Sequence, residues 1–339
     1  MRGRSSALRD SVNRYCAEIG KNSMLVQGAG GNISWKEDGV LWIKASGAWL
    51  ADALEQKIFV PVNLNLLQQA MDMGNFSILP RIEEKTTLRP SIETLLHALM
   101  PHPMVMHLHA VEVLTRLVCR DCETTFRALI DDSIEWAIVD YHKPGATLAS
   151  AVRKVLDTRA NIDVFFLKNH GVVIGGMDIC QLDAILNKLI TSLCSTTIKI
   201  HGPSNIAIEP ASAPNYYLLE DRDIHQLALN PLFFNRLQRD WALYPDHVVF
   251  LGPKPHIYKT WDAFRDQVRL NDDRPELLFI EGKGVFARAA FNKAKVAQLR
   301  CYYDVLTRLG LEEPESLNDA QIADLLNWDA EQYRASIAK

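Results

Sequence analysis

No apolar run in the chain approaches the roughly twenty residues that a helix needs to cross a bilayer, so no membrane span is expected. The charged opening MRGRSSALRDSVNRYCAEIG offers no apolar core for a signal peptide. Lys and Arg nowhere gather into a basic patch, and 37 of them against 41 Asp and Glu leave a formal net charge of −4. A nucleic-acid partner would need such a patch and is not expected. Cysteine is scarce: six residues scattered through 339 argue for reduced thiols and a cytoplasmic setting. The one C-x-x-C, Cys119 and Cys122, lacks the second pair of a zinc knuckle and is read as structural. Internal repeats and low-complexity tracts are absent as well.

What is present fits an ordinary globular protein of two domains, 48% hydrophobic and 23% charged. Residues 8–19 have apolar side chains at helical spacing, Met24–Val26 read as a strand, and Gly28–Gly31 as a loop. ISWK and VLWIKAS flank Glu37-Asp38-Gly39, a hairpin signature. SIETLLHALM predicts a helix capped by Ser91 and closed by Pro101. A strand through MVMHLHA, helices through VEVLTRLVC and TTFRALI, and a strand in IEWAIVDY follow. LASAVRKVLDT predicts a helix, VFFLKNHGVVIGG a buried strand pair, and residues 180–201 a long helix. The expected fold is α/β, a central, largely antiparallel sheet flanked by helices. GPSNIAIEPASAP, from Gly202 to Pro214, has linker composition. Beyond it HVVFLG and ELLFIEGKGVFA read as strands, with helices at Asn292–Leu309 and Asp319–Ala338. The division is therefore a first domain over 1–210 and a smaller α/β domain over 211–339.

The chemistry starts at MVMHLHA. Residues two apart on a strand share a face, so His107 and His109 can reach one cation. Two histidines on one face are also ordinary surface polar groups, and a catalytic zinc wants a third imidazole with a position left open for substrate. His170, in the turn KNHGVV, is the best candidate; His102, between two prolines, and His142, after a tyrosine, compete with it. Glu93 opens the helix that runs into this strand, where it can face the same cleft or merely complement the helix dipole. His97 reads as a packed core histidine. GAGGN lacks the third glycine of a dinucleotide fingerprint and enters a strand rather than a helix, which excludes NAD. Its free N–H groups around Gly31, with the Asn32 amide, can still form an anion nest, and Ser46-Gly47 can add to it; both are otherwise plain turns. EGKGV, around Gly284, lacks the Walker pattern and is a turn.

Taken in order, GAGGNIS, LWIKASG, RPSIETLLH, VMHLHA and KNHGVVIGG resemble the class II aldolase/adducin family over roughly residues 8–205. That family holds L-fuculose phosphate and L-rhamnulose phosphate aldolases and L-ribulose phosphate epimerases. YPDHVVFLG, IEGKGVFA and LLNWDAEQYR are similar to the segment after the aldolase domain in bifunctional rhamnulose phosphate aldolase/dehydrogenase proteins.

The resemblance implies that His107, His109 and His170 bind Zn²⁺ or another divalent transition metal, and that Glu93 is the acid/base. It also implies that Asn32, Ser46, Gly47 and Ser91 line a phosphate pocket, and that Tyr141 handles the proton of the aldehyde oxygen. The implied activity is retro-aldol cleavage of a ketose or ketose phosphate, in which the metal stabilises an enediolate as a Lewis acid. A decarboxylase or epimerase on the same scaffold is the nearest alternative, and a non-catalytic adducin-like module a more distant one. The implied assembly is a homotetramer with sites at subunit interfaces. Two departures matter: Ile92 stands where relatives carry a second hydroxyl, and Ala29 and Gly30 replace hydroxyl residues of the glycine loop. The pocket thus offers fewer side-chain donors to a phosphate.

Overall fold

A computed structural model of the chain describes residues 2–195, 197, 213–271, 274–310 and 312–337. Seven strands form its larger sheet: β1 (Asn32–Glu37), β2 (Val40–Lys44), β3 (Phe59–Asn63), β4 (Met104–Leu108), β5 (Trp136–Val139), β6 (Val164–Leu167) and β7 (Gly171–Gly176). Their spatial order is β3-β2-β1-β4-β7-β6-β5, and neighbours are antiparallel except for the parallel pair β5 and β6. This is the α/β arrangement expected from the sequence. Asp38 and Gly39 both have positive φ and make the tight turn between β1 and β2. A two-residue I′ turn needs both of its central residues left-handed, which is why Asp-Gly marks it in the sequence.

The sheet is covered on both faces. Along β4, Met104, Met106 and Leu108 pack with Val113, Leu186 and Leu189 on one side, and Val105 packs with Leu148, Val152 and Phe165 on the other. A strand buried on both faces reads as a continuous apolar run, which is why the histidines of MVMHLHA stand out. Antiparallel register sets Asn32 of β1 opposite His107 of β4, so their side chains share a face. The helix Ile179–Leu193 starts where the Asp178 carboxylate accepts from the Gln181 N–H at 2.9 Å, and it buries Leu182, Leu186, Leu189 and Leu193 against the sheet.

A smaller sheet, β8 (Tyr217–Leu218), β9 (Ile257–Tyr258), β10 (Leu277–Ile280) and β11 (Gly284–Ala287), runs in the order β8-β11-β10-β9. It does not stand apart from the rest. Val111, Leu114 and Val118 of the first half share one cluster with Leu227, Phe233, Trp241, Leu306 and others of the second.

Several local expectations are corrected. HVVFLG is not a strand: Pro245–Leu251 is a helix with proline in its first turn, and most of its residues are buried, so the apolar run carried no helical period to read. Met24–Val26 is a turn in which the Asn22 carbonyl accepts from Leu25 and Val26 N–H groups at 2.9 and 3.0 Å. The helix expected from Ser91 begins at Thr94, leaving Ser91 and Glu93 in the preceding turn. The span Asp319–Ala338 is two helices, Asp319–Leu326 and Asp329–Ile337, divided at Asn327 and Trp328. The long helix stops at Leu193; residues 196 and 198–201 of that expectation and 202–212 of the linker lie outside the described residues.

Candidate metal centre and pocket

Three imidazoles converge. His107 comes from the end of β4, His109 from just beyond it, and His170 from the turn between β6 and β7; one ring nitrogen from each lies within 4.8 Å of the other two. His107 Nε2 and His109 Nε2 are 3.1 Å apart. That separation suits two nitrogens sharing one ion, each at a Zn–N distance of about 2.0–2.1 Å. The cluster depends on Gly171. A Cβ there would stand 2.5 Å from the Leu108 carbonyl oxygen and 2.9 Å from the His109 ring, so only glycine lets the turn approach β4 this closely.

The donor set suits a divalent ion. Burial pushes His107 down to about 4 and His170 down to about 3, so both rings are neutral near pH 7 and keep a free lone pair. His107 Nδ1 lies 3.1 Å from the Val172 carbonyl oxygen, which selects the tautomer protonated at Nδ1 and leaves Nε2 as the ligand atom. Glu93 bridges the group: Oε2 is 3.4 Å from His107 Nε2 and Oε1 is 3.3 Å from His170 Nε2. Burial alone would raise Glu93, but the adjacent His107 and His170 and the Asn32 amide, donating at 2.9 Å, hold it down at about 2. The result is an ionised carboxylate beside the neutral rings of His107 and His170.

Gly31, Asn32, Ser46, Gly47 and Ser91 all line one pocket with Glu93 and His109. Ser91 Oγ accepts from the Glu93 N–H at 3.2 Å and so fixes the turn before the helix. Tyr141 is placed elsewhere: it lines a separate hollow with His142, Lys143 and Asp324, and its buried hydroxyl has no hydrogen-bond partner among the described residues. The competing histidines are engaged or distant. His102 Nε2 pairs with Asp163 at 2.8 Å, His97 Nδ1 meets Ser34 Oγ at 2.7 Å, and His142 lies in the Tyr141 hollow.

Four residues of the site had no local signal in the sequence. Asp246 Oδ2 stands 3.3 Å from His109 Nδ1, on the side of the ring away from His107. A carboxylate on the second nitrogen orients a ligating histidine and raises its basicity. Arg334, on the Asp329–Ile337 helix, pairs with Asp246 and lines the pocket. Burial opposes ionisation of Asp246, yet Arg334 and then His109 hold its carboxyl far below the usual range. Lys44 lies on the pocket floor, where its Nζ donates to the Ala29 and Ala48 carbonyls at 2.9 and 2.6 Å. Asn169 has positive φ and donates through Nδ2 to the carbonyls of Leu243 at 2.9 Å and Glu315 at 2.6 Å. That clamp ties the turn bearing His170 to the second half of the chain.

Residues 11–185 match the family model of the Class II Aldolase and Adducin N-terminal domain. The uncharacterized oxidoreductase YuxG of Bacillus subtilis (strain 168) is 26% identical over 175 residues, covering 47% of this chain but only 25% of that protein. Among solved structures, the N-terminal class II aldolase domain of a conserved Thermoplasma acidophilum protein is 23% identical, with a TM-score of 0.44 over 54% of this chain and 90% of that one. A sugar-phosphate aldolase from Thermotoga maritima is 14% identical, with a TM-score of 0.43 over 56% and 93%.

Proposed function

The chain belongs to the class II aldolase and adducin N-terminal domain family, and from that premise we propose that it is a zinc-dependent aldolase acting on a ketose or ketose phosphate. The observation that carries this reading is the meeting of His107, His109 and His170 around one point beside the Glu93 carboxylate. Three imidazoles would hold the ion without cancelling its charge, leaving room for a substrate oxygen. When bound, the ion supplies Lewis-acid stabilisation of negative charge developing on oxygen, worth several kcal/mol.

The chain's own groups do the rest. In the aldol direction Glu93 accepts a proton from the carbon next to the carbonyl, a role open to it because it is ionised and lies within about one hydrogen-bond length of the metal ligands. Asn32 fixes one of its oxygens, so the carboxylate approaches in a set orientation. The loop through Gly31, with Ser46, Gly47 and Ser91, holds the far end of the substrate and turns binding into alignment. Tyr141, which lies in a separate hollow of its own chain, would carry the proton of the aldehyde oxygen at a neighbouring subunit's site in the proposed assembly. As in the implied family assembly, we propose a homotetramer; sedimentation should give four times the chain mass.

One experiment tests the reading directly. Metal analysis of the purified protein is combined with a panel of phosphorylated and unphosphorylated keto-sugars and 3-keto acids. The expected result is one zinc per chain and aldehyde release from a keto-sugar. Carbon dioxide release from a 3-keto acid, without aldehyde from any sugar, replaces the aldolase by a decarboxylase. His109→Ala should lose the metal, and one zinc per chain in that variant contradicts the assignment.

A further inference from the structure

The pocket contains a cation that comes from outside the family segment. Arg334 lies on the Asp329–Ile337 helix, whereas the family match ends at residue 185. Its side chain is 11% exposed and lines the same pocket as Ser46, Ser91 and Asn32. One of its nitrogens bonds Asp246. Its Nε lies 2.9 Å from Glu331 Oε2 but off the N–H direction, so neither oxygen of the buried Glu331 carboxylate receives a hydrogen bond among the described residues. A buried carboxylate left without donors is costly, because the lost contact with water is not replaced. Glu331 therefore holds the guanidinium as an ion pair without a hydrogen bond, whereas the planar fork of that guanidinium suits a carboxylate or phosphate held through two parallel bonds.

The neighbouring residues sharpen the point. Ala29 and Ile92, which line the pocket, offer no side-chain donor, and Lys44 spends its Nζ on two backbone carbonyls. The Arg334 guanidinium lines the pocket as a side chain rich in N–H donors. The helix that brings it also fills the pocket, leaving space for no more than about one water molecule. Ile337 packs on Gly47, where a Cβ would meet the end of its side chain. Beyond Ser46, Ser91 and Ile92 a hollow of about 530 Å³ opens, bordered on the helix side by Trp328 and Tyr333. The body of a small substrate has room there, but its anionic end reaches Arg334 only if the helix yields.

We propose that Arg334 is the residue that receives an anionic group of the substrate, taking it in place of Glu331, and that the Asp329–Ile337 helix withdraws from the pocket to admit it. This rests on the aldolase reading of the site but not on its chemistry, because the group that would receive the anion is Arg334 and none of the three imidazoles, although His109 lines the same pocket. Phosphate monoester and carboxylate ends share the chemistry that the guanidinium recognises, and the experiment separates them.

The full chain, stripped of metal so that no ion competes for the anion, is titrated calorimetrically with inorganic phosphate and, separately, with acetate. Zinc stoichiometry is measured on each variant in parallel. Wild type should bind one of the two anions, Arg334→Gln should bind it at least tenfold more weakly, and Arg334→Lys should lie between, all three still taking up one zinc per chain. Stronger binding of phosphate assigns a phosphorylated substrate, and stronger binding of acetate a carboxylate. Equal affinity in wild type and Arg334→Gln, or no binding of either anion by wild type, overturns the proposal. Should Arg334→Gln fail to fold, Arg334→Lys decides: undiminished affinity for the preferred anion in that variant also overturns it, since Lys loses the planar fork. Loss of zinc uptake by wild type would instead sink the aldolase reading while leaving the anion result standing.

Discussion

At the scale of single residues, the site is built from groups that are costly to bury, and their costs set testable behaviour. Glu93→Gln keeps the size and the contact with Asn32 but removes the charge. Turnover should fall a hundredfold or more, on the order of a general-base contribution, with zinc content preserved; unchanged turnover rejects the role. Asp246→Asn should weaken zinc affinity about 10–100-fold in a competition assay with a chelator, the usual effect of removing a carboxylate behind a ligating histidine. The buried imidazoles also set the acid limit of the metal-free chain. His97, His107, His170 and His247 are pushed from 6.5 down to between about 3 and about 4, chiefly by burial. Below pH 6.5 the unfolded chain protonates these rings while the folded chain refuses the protons, so their contribution is unchanged above that pH and takes stability away as pH drops toward 4. Each pKa unit is about 1.4 kcal/mol, so one such ring alone removes a few kcal/mol. Denaturant midpoints measured from pH 8 to pH 4 should show this, and a flat profile would contradict it. The H-x-H spacing and the His-Gly turn draw attention to His107, His109 and His170 in the sequence. Asp246 and Arg334 gave no such sign, because their meeting with His109 is made by packing between distant segments.

At the scale of elements, periodicity reveals most of the larger sheet and its helices, because strands buried on both faces and amphipathic helices leave clear patterns. It fails where the pattern carries no period. HVVFLG has the composition of a strand, yet proline in its first turn and a mostly buried surface make it a helix. Met24–Val26 is apolar but held in a turn by the Asn22 carbonyl. The turn between β6 and β7 is the element on which the centre depends most. Gly171→Ala would drive a methyl group into the Leu108 carbonyl and the His109 ring, a backbone clash that cannot be relieved by turning a side chain. The variant should lose about 1–3 kcal/mol of stability, as for overpacking elsewhere, together with zinc affinity. Calorimetry with metal analysis checks both, and wild-type zinc affinity would count against the close approach.

At the scale of the whole molecule, the expected division near residue 210 is a proposal about folding units as much as about sequence. Val111, Leu114 and Val118 bury against the second half. Fully burying each such side chain is worth about 1.5–3 kcal/mol. We therefore expect the full chain to unfold in one cooperative transition. Two resolved transitions in a calorimetric scan, with zinc following only the first half, would show instead that the halves are independent. None of this coupling was legible in the sequence, since GPSNIAIEPASAP reads as a spacer and gives no hint of which surfaces meet across it. The Asn169 clamp carries the point into the order in which the protein is made. His107, His109 and His170 leave the ribosome well before residue 315, whose carbonyl takes one of the two Asn169 hydrogen bonds. The nascent chain thus holds all three rings before the strap that steadies the turn of the third has been synthesised.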